Sequence, residues 1–148
     1  MILTAHLLAG AAIASKIQPA PLALFLAFLS HYFLDLIPHW EYSIDNIRRK
    51  RWGKSLFDFL KVGWDILAGV LLIFLFSENQ PIIYAGAFLA IFPDGLTLFG
   101  LIFSNKLLEH NDDFHNKIHF LKYKKIPFFR GIFSQALVGG LAIFFLFL

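Results

Sequence analysis

His31, Asp35 and His39 recur every fourth place in the stretch SHYFLDLIPHWEY, which otherwise reads as the end of an apolar helix. Residues at i, i+4 and i+8 advance only about 40° per step around a helix, so the three share one face. Imidazole beside carboxylate is a metal-ligand set. The chain has no cysteine, which removes thiolate chemistry and points to zinc, manganese or iron rather than a soft metal. Pro38 lacks a backbone N–H and biases Ile37 away from helix, so the helix is expected to end there and His39 to turn back over its end.

Other metal-type side chains lie in apolar surroundings elsewhere. His6 sits in TAHLLAG, Asp65 in KVGWDILAGV and Asp94 in AIFPDGLTLFG. His115 and His119, in EHNDDFHNKIHF, repeat the i, i+4 spacing that lets two imidazoles grip one cation. A carboxylate at membrane depth costs about 2.5–3.5 kcal/mol on insertion scales unless it is paired or solvated. Asp65 and Asp94 are therefore the candidate catalytic carboxylates, each as general base or ligand.

The scaffold for these side chains is legible in the composition. Hydrophobic residues make up 58% of the 148 and aromatic residues 18%, with nineteen phenylalanines and a mean hydropathy of +0.67. Soluble chains run near 45–50% apolar, so the sequence reads as a single integral-membrane domain, residues 1–148. Five apolar segments stand out: Ile2–Ile17, Leu22–Ile37, Leu56–Ser77, Pro81–Ser104 and Pro127–Leu148. The expected fold is all-α, a polytopic bundle of about five transmembrane or membrane-embedded helices. At 1.5 Å per residue the first two reach only about 24 Å, short of a hydrocarbon core of about 30 Å. No base precedes Lys16, so the first segment reads as a retained helix rather than a cleavable signal.

Arg48–Lys54 holds five bases and the stretch from Lys106 to Arg130 six more. By the positive-inside rule both face the cytoplasm, which puts the N-terminus inside and gathers the His and Asp residues in the inner half of the bilayer. Arg48, Arg49, Lys50 and Arg51 are then expected to meet anionic lipid headgroups, and the net charge of +3 needs no nucleic-acid partner. A protein partner is not indicated.

Each residue also has a plainer reading. His6 can hydrogen-bond a neighbouring helix. Asp65 can pair with Lys61 or a histidine, and Asp94 can cap a helix restarted after Pro93. Trp40, Tyr42 and Trp52 fit an interfacial aromatic belt. Gly139–Gly140 can allow close helix packing. Glu109, His110, Asp112 and Asp113 read as a solvated loop.

Taken together, TAHLLAGAAIA, the His-x3-Asp-x3-His of SHYFLDLIPH, FPDG and FHNKIH resemble the predicted membrane-bound metal-dependent hydrolases, a family of small bacterial inner-membrane proteins. Residues 31 to 39 are also similar to the zinc-dependent phospholipase C group, which is secreted and soluble, so its fold is not implied. The family resemblance implies metal ligation by His6, His31, Asp35 and His39, with Asp94 as a further ligand and His115 and His119 as looser matches. It implies a hydrolase in which a divalent cation, zinc first, acidifies a water for attack on a phosphoester or lipid-type substrate at the cytoplasmic leaflet. Metal or proton translocation through the cluster, or a purely structural polar core, are the alternatives, and toward the outer face translocation finds only a few polar groups, Gln80, Tyr84 and Gln135.

Overall fold

The apolar runs become helices, and proline and glycine set their limits. In the computed structural model, which describes residues 1–103 and 127–148, α1 spans Leu3–Lys16 and α2 spans Ala20–Asp35. A short α3, Asp45–Arg48, and a 3₁₀ turn, Trp52–Lys54, come next. Three longer helices complete the described chain: α4 at Leu56–Phe76, α5 at Pro81–Ile102 and α6 at Phe128–Phe147. Proline in the first turn opens α2 and α5, where its missing N–H is no loss. The turn from α4 to α5 passes through Asn79 at φ 56°, a conformation asparagine tolerates.

The helices α4, α5 and α6, of 21, 22 and 20 residues, are long and apolar enough to cross a membrane. Their outer faces carry large apolar side chains in the open, among them Phe57, Trp64, Phe74, Phe133 and Phe147. Each such side chain gains about 1.5–3 kcal/mol on leaving water, so these faces belong in a lipid solvent. The expectation of an all-helical, membrane-type architecture holds. Two of the five expected segments, α1 and α2, form helices of 14 and 16 residues, below the length of a simple span.

The short α1 is the centre of the bundle, packed by α2, α4, α5 and α6. Small residues make this possible. Gly10 of α1 lies so near α5 that an added Cβ would stand 2.5 Å from the Gly86 carbonyl oxygen and 2.5 Å from the Ala90 Cβ. Gly86 faces Ala14 as tightly in return. Without a hydrophobic force between helices in lipid, such close van der Waals approach is what binds them. Gly139 and Gly140, expected to serve this role, do not: a Cβ at Gly139 would make an ordinary 3.7 Å contact with Leu8, and Gly140 faces open space. Away from the polar end the core is formed by Leu7, Leu8, Ala11, Ala12, Ile73, Ile83, Ala87, Ala142 and Leu146, all apolar.

Pro93 lies inside α5 and does not end it. Asp94 therefore caps no restarted helix, and that reading is set aside.

Candidate metal centre

Chain direction brings the start of α1, the end of α2, the first half of α4, the second half of α5 and the start of α6 to one end of the bundle. His6 and His31 are wholly buried there, with their rings stacked 4.3 Å apart. Asp94 of α5 joins them. One ligand atom from each of His6, His31 and Asp94 lies within 4.8 Å of the other two, the spacing of groups around a single cation.

The orientation of His31 is set by a carbonyl. Its Nδ1 lies 2.8 Å from the oxygen of Ala90, which can only accept, so Nδ1 carries the proton and donates. Metal-binding histidines are commonly fixed in this way. Nε2 of His31 then faces two carboxylates, Asp35 Oδ2 at 3.1 Å and Asp94 Oδ1 at 3.8 Å. A neutral imidazole lone pair between two anions is repulsive. A second ring proton, a proton on one of the carboxyl groups or a metal cation would each remove that repulsion.

Asp35, 2% exposed, is the hub. Its Oδ1 accepts from the Met1 ammonium at 2.7 Å and approaches His6 Nε2 at 3.2 Å and His39 Nε2 at 3.9 Å. His6 is short of partners among the described residues: the Asp35 approach lacks hydrogen-bond alignment, and Nδ1 has no acceptor or donor at all. Burying a polar atom unpaired costs about 1–3 kcal/mol, which is the mark of a position kept for something other than packing.

His39 does turn back over the end of α2, which stops at Asp35, but its ring is engaged locally. Nδ1 lies 2.6 Å from the Ile37 oxygen and Nε2 2.9 Å from Glu41 Oε1. The segment that carries it is latched to α6, where Ser134 donates to the Pro38 oxygen at 2.7 Å and Gln135 to the Trp40 oxygen at 3.0 Å. Gly131 leaves room for this crossing, since a Cβ there would meet the Trp40 nitrogen at 2.8 Å.

Asp65 stands in a different arrangement. Its carboxylate accepts from the Leu3 N–H at 2.7 Å, the Thr4 N–H at 3.0 Å, the Thr4 hydroxyl at 2.6 Å and the Tyr42 hydroxyl at 3.1 Å. The pairing expected with Lys61 is not formed. Lys61 instead reaches Asp58 at 3.4 Å and the Ser43 oxygen at 3.0 Å. Tyr42, expected in an aromatic belt, is half-buried and turned inward. Its phenol is pushed well above the usual tyrosine range, first by burial and then by the charge of Asp65.

His115 and His119, together with Glu109, His110, Asp112 and Asp113, lie outside the described residues. Sequence reasoning passes over Glu41, two places after His39, and the Ala90 carbonyl. It also places Gln135 toward the opposite face, whereas its side chain accepts from the Ile2 N–H at 2.9 Å, at the polar end. Comparison of the chain with protein-family models, curated proteins and solved structures finds no match.

Proposed function

We propose that this chain is a membrane-embedded metal-dependent hydrolase in which His6, His31 and Asp94 hold one divalent cation, zinc before manganese or iron, with Asp35 beside them. The supporting observation is the convergence of three ligand atoms from α1, α2 and α5 within 4.8 Å, at the polar end of the bundle. A cation held there supplies Lewis acidity and an acidified water near neutral pH. The chain's own residues orient and balance it: the Ala90 carbonyl fixes His31, and Asp35 and Asp94 provide the negative charge. The substrate class is a phosphoester, lipid-linked because a site at one end of a membrane-type bundle would face a leaflet. Five bases at the same end of the bundle, in Arg48–Lys54, support a cytoplasmic placement of that end in a bacterial-type inner membrane, N-terminus inside.

Elemental analysis of the detergent-purified protein tests the reading. About one equivalent of transition metal in the wild type, lost in His31→Ala together with chelator-sensitive phosphoesterase activity, is the expected result. A wild type purified without metal, and active or inactive regardless of His31, ends it.

One observation favours a structural polar core instead. The Met1 ammonium lies 2.7 Å from Asp35 and 3.2 Å from Glu41, so the cluster already holds one positive charge. Under that reading His31→Ala lowers stability and no metal is found. Translocation has less support, because the core beyond the cluster is apolar and Gln135 is not on the far side.

A further inference from the structure

A topogenic run of bases needs no structure, yet Arg48–Lys54 has one. Ile47, inside α3, is completely buried and anchors the segment. Asp58, in the first turn of α4, accepts the Asn46 N–H at 2.8 Å and the Ile47 N–H at 3.3 Å, which caps α3 from outside. The backbone folds back where the Arg51 N–H bonds the Asn46 oxygen at 2.8 Å, with Lys50 at φ 52°, and the Ser55 hydroxyl holds the Arg51 oxygen at 2.9 Å. The result is a built turn with Arg48, Arg49, Lys50, Arg51 and Lys54 all exposed.

Among the described residues the acids beside this turn do not neutralise it: Asp45, at the start of α3, forms no ion pair with it. Asp58 is occupied by backbone N–H groups and by Lys61. Among the described residues, Arg48, Arg49, Arg51 and Lys54 make no ion pair with a carboxylate. Trp52, 47% exposed, lies within the run of bases, as a residue of a bilayer interface does. The turn also shares a packing neighbour with the candidate centre. Its helix α3 packs on α4 and α5, and α5 carries Asp94, whose side chain with that of Glu41 forms the partly exposed rim of the cluster.

We infer that the Arg48–Lys54 turn is a docking surface for the phosphate groups of anionic lipids, which it gathers at the rim of the His6–His31–Asp94 centre. Guanidinium forks match phosphate oxygens in pairs, and Trp52 holds the turn at headgroup depth. Docking itself is independent of the hydrolase reading, and only the fate of the docked lipid rests on it. An anionic phospholipid-like molecule, rather than a soluble phosphoester, is then the class presented to the site.

The test counts lipid and needs no turnover. The protein is reconstituted in nanodiscs of equal phosphatidylglycerol and phosphatidylcholine, re-extracted, and its retained lipids are counted by native mass spectrometry. Each base near an anionic surface is worth roughly fivefold, so the wild type is expected to retain phosphatidylglycerol over phosphatidylcholine by at least about tenfold. Arg48→Gln/Arg49→Gln/Arg51→Gln/Lys54→Gln should lower the ratio by at least about tenfold, to what Lys50 and the six bases of Lys106–Arg130 sustain. If that variant fails to insert, Arg48→Gln/Arg49→Gln, which keeps three of the five bases, is expected to lower the enrichment severalfold. Equal retention of both lipids by the wild type, or wild-type enrichment in either variant, overturns the proposal. His31→Ala keeps the enrichment if docking is right, whether or not metal is bound, so failure of the metal centre and failure of the docking surface give different results.

Discussion

Asp65 and Asp94 look alike in the sequence, each a lone carboxylate about midway along an apolar helix, but they sit in opposite kinds of surroundings. Asp65 meets four hydrogen-bond donors, three from the first turn of α1 and one from Tyr42. The first N–H groups of a helix have no partner within it, and Ile2, at the N-cap of α1, has no side chain to accept them. Asp65 caps α1 from the neighbouring helix. Asp94 meets the two stacked imidazoles of His6 and His31, which with it form a metal-type ligand set. A buried carboxylate matched by backbone donors holds a structure together. One matched by ligand-type side chains is placed for chemistry.

Exchanging each carboxylate for its amide puts this contrast under the greatest strain. Asp94→Asn should reduce metal affinity by well over about 10-fold, the smaller end of what changes even to outer partners of a metal site produce. Its thermal stability without metal should hold or rise, because a partly buried charge is removed. Asp65→Asn should behave the other way. Asparagine offers one acceptor oxygen in place of two, so an N–H of Leu3 or Thr4 loses its partner, at a cost of about 1–3 kcal/mol in stability. Metal content per folded molecule should stay at the wild-type level. Metal lost from Asp65→Asn and kept in Asp94→Asn would exchange the two roles.

The same pair shows what a sequence makes legible. The helices are readable because runs of Leu, Phe and Ala are long, and because Pro19, Pro38 and Pro81 mark where they begin or end. The candidate residues are readable because His6, His31, Asp35 and Asp94 interrupt apolar runs at an energetic cost. The fate of Asp65 is not, since the donors that claim it belong to another helix about sixty positions away. Gln135 and Tyr42 are misplaced by sequence for a related reason: a polar side chain near a helix end can turn inward or outward, and its partners decide. Nor does the pattern of α1 announce its central position. Its alanines and glycine resemble a signal segment, and their meaning comes from the helices packed around them.

A smaller effect, reached through packing, joins the apolar core to the polar end. In Gly10→Ala the new methyl meets the Gly86 carbonyl oxygen and the Ala90 Cβ at 2.5 Å, and neither is a flexible tip. The helices α1 and α5 must part on the order of 1 Å to restore ordinary contact. Overpacking of this kind costs about 1–3 kcal/mol. Because α1 carries His6 and α5 carries Asp94 and the Ala90 carbonyl, the same shift should weaken metal retention as well. A Gly10→Ala protein of reduced melting temperature and unchanged metal affinity would show that the centre tolerates displacement, and would uncouple the two regions.

The smallest expected effect returns to the cap that Asp65 forms. Tyr42→Phe removes one of its four donors and leaves the three from α1 in place, so the loss should be about 0.5–1.5 kcal/mol, below that of Asp65→Asn. The pH dependence carries a sign. Folding raises the Tyr42 pKa, because burial and the Asp65 charge both favour the neutral phenol. Its contribution is therefore complete below the unfolded tyrosine value of about 10 and declines as pH rises above it. Wild type and Tyr42→Phe should differ by a constant amount from neutral pH to about 9, and the gap should then narrow as the unfolded phenol ionises. A gap that widens above that point would mean that Asp65 does not hold the hydroxyl as donor, and the fourth contact of the cap would have to be withdrawn.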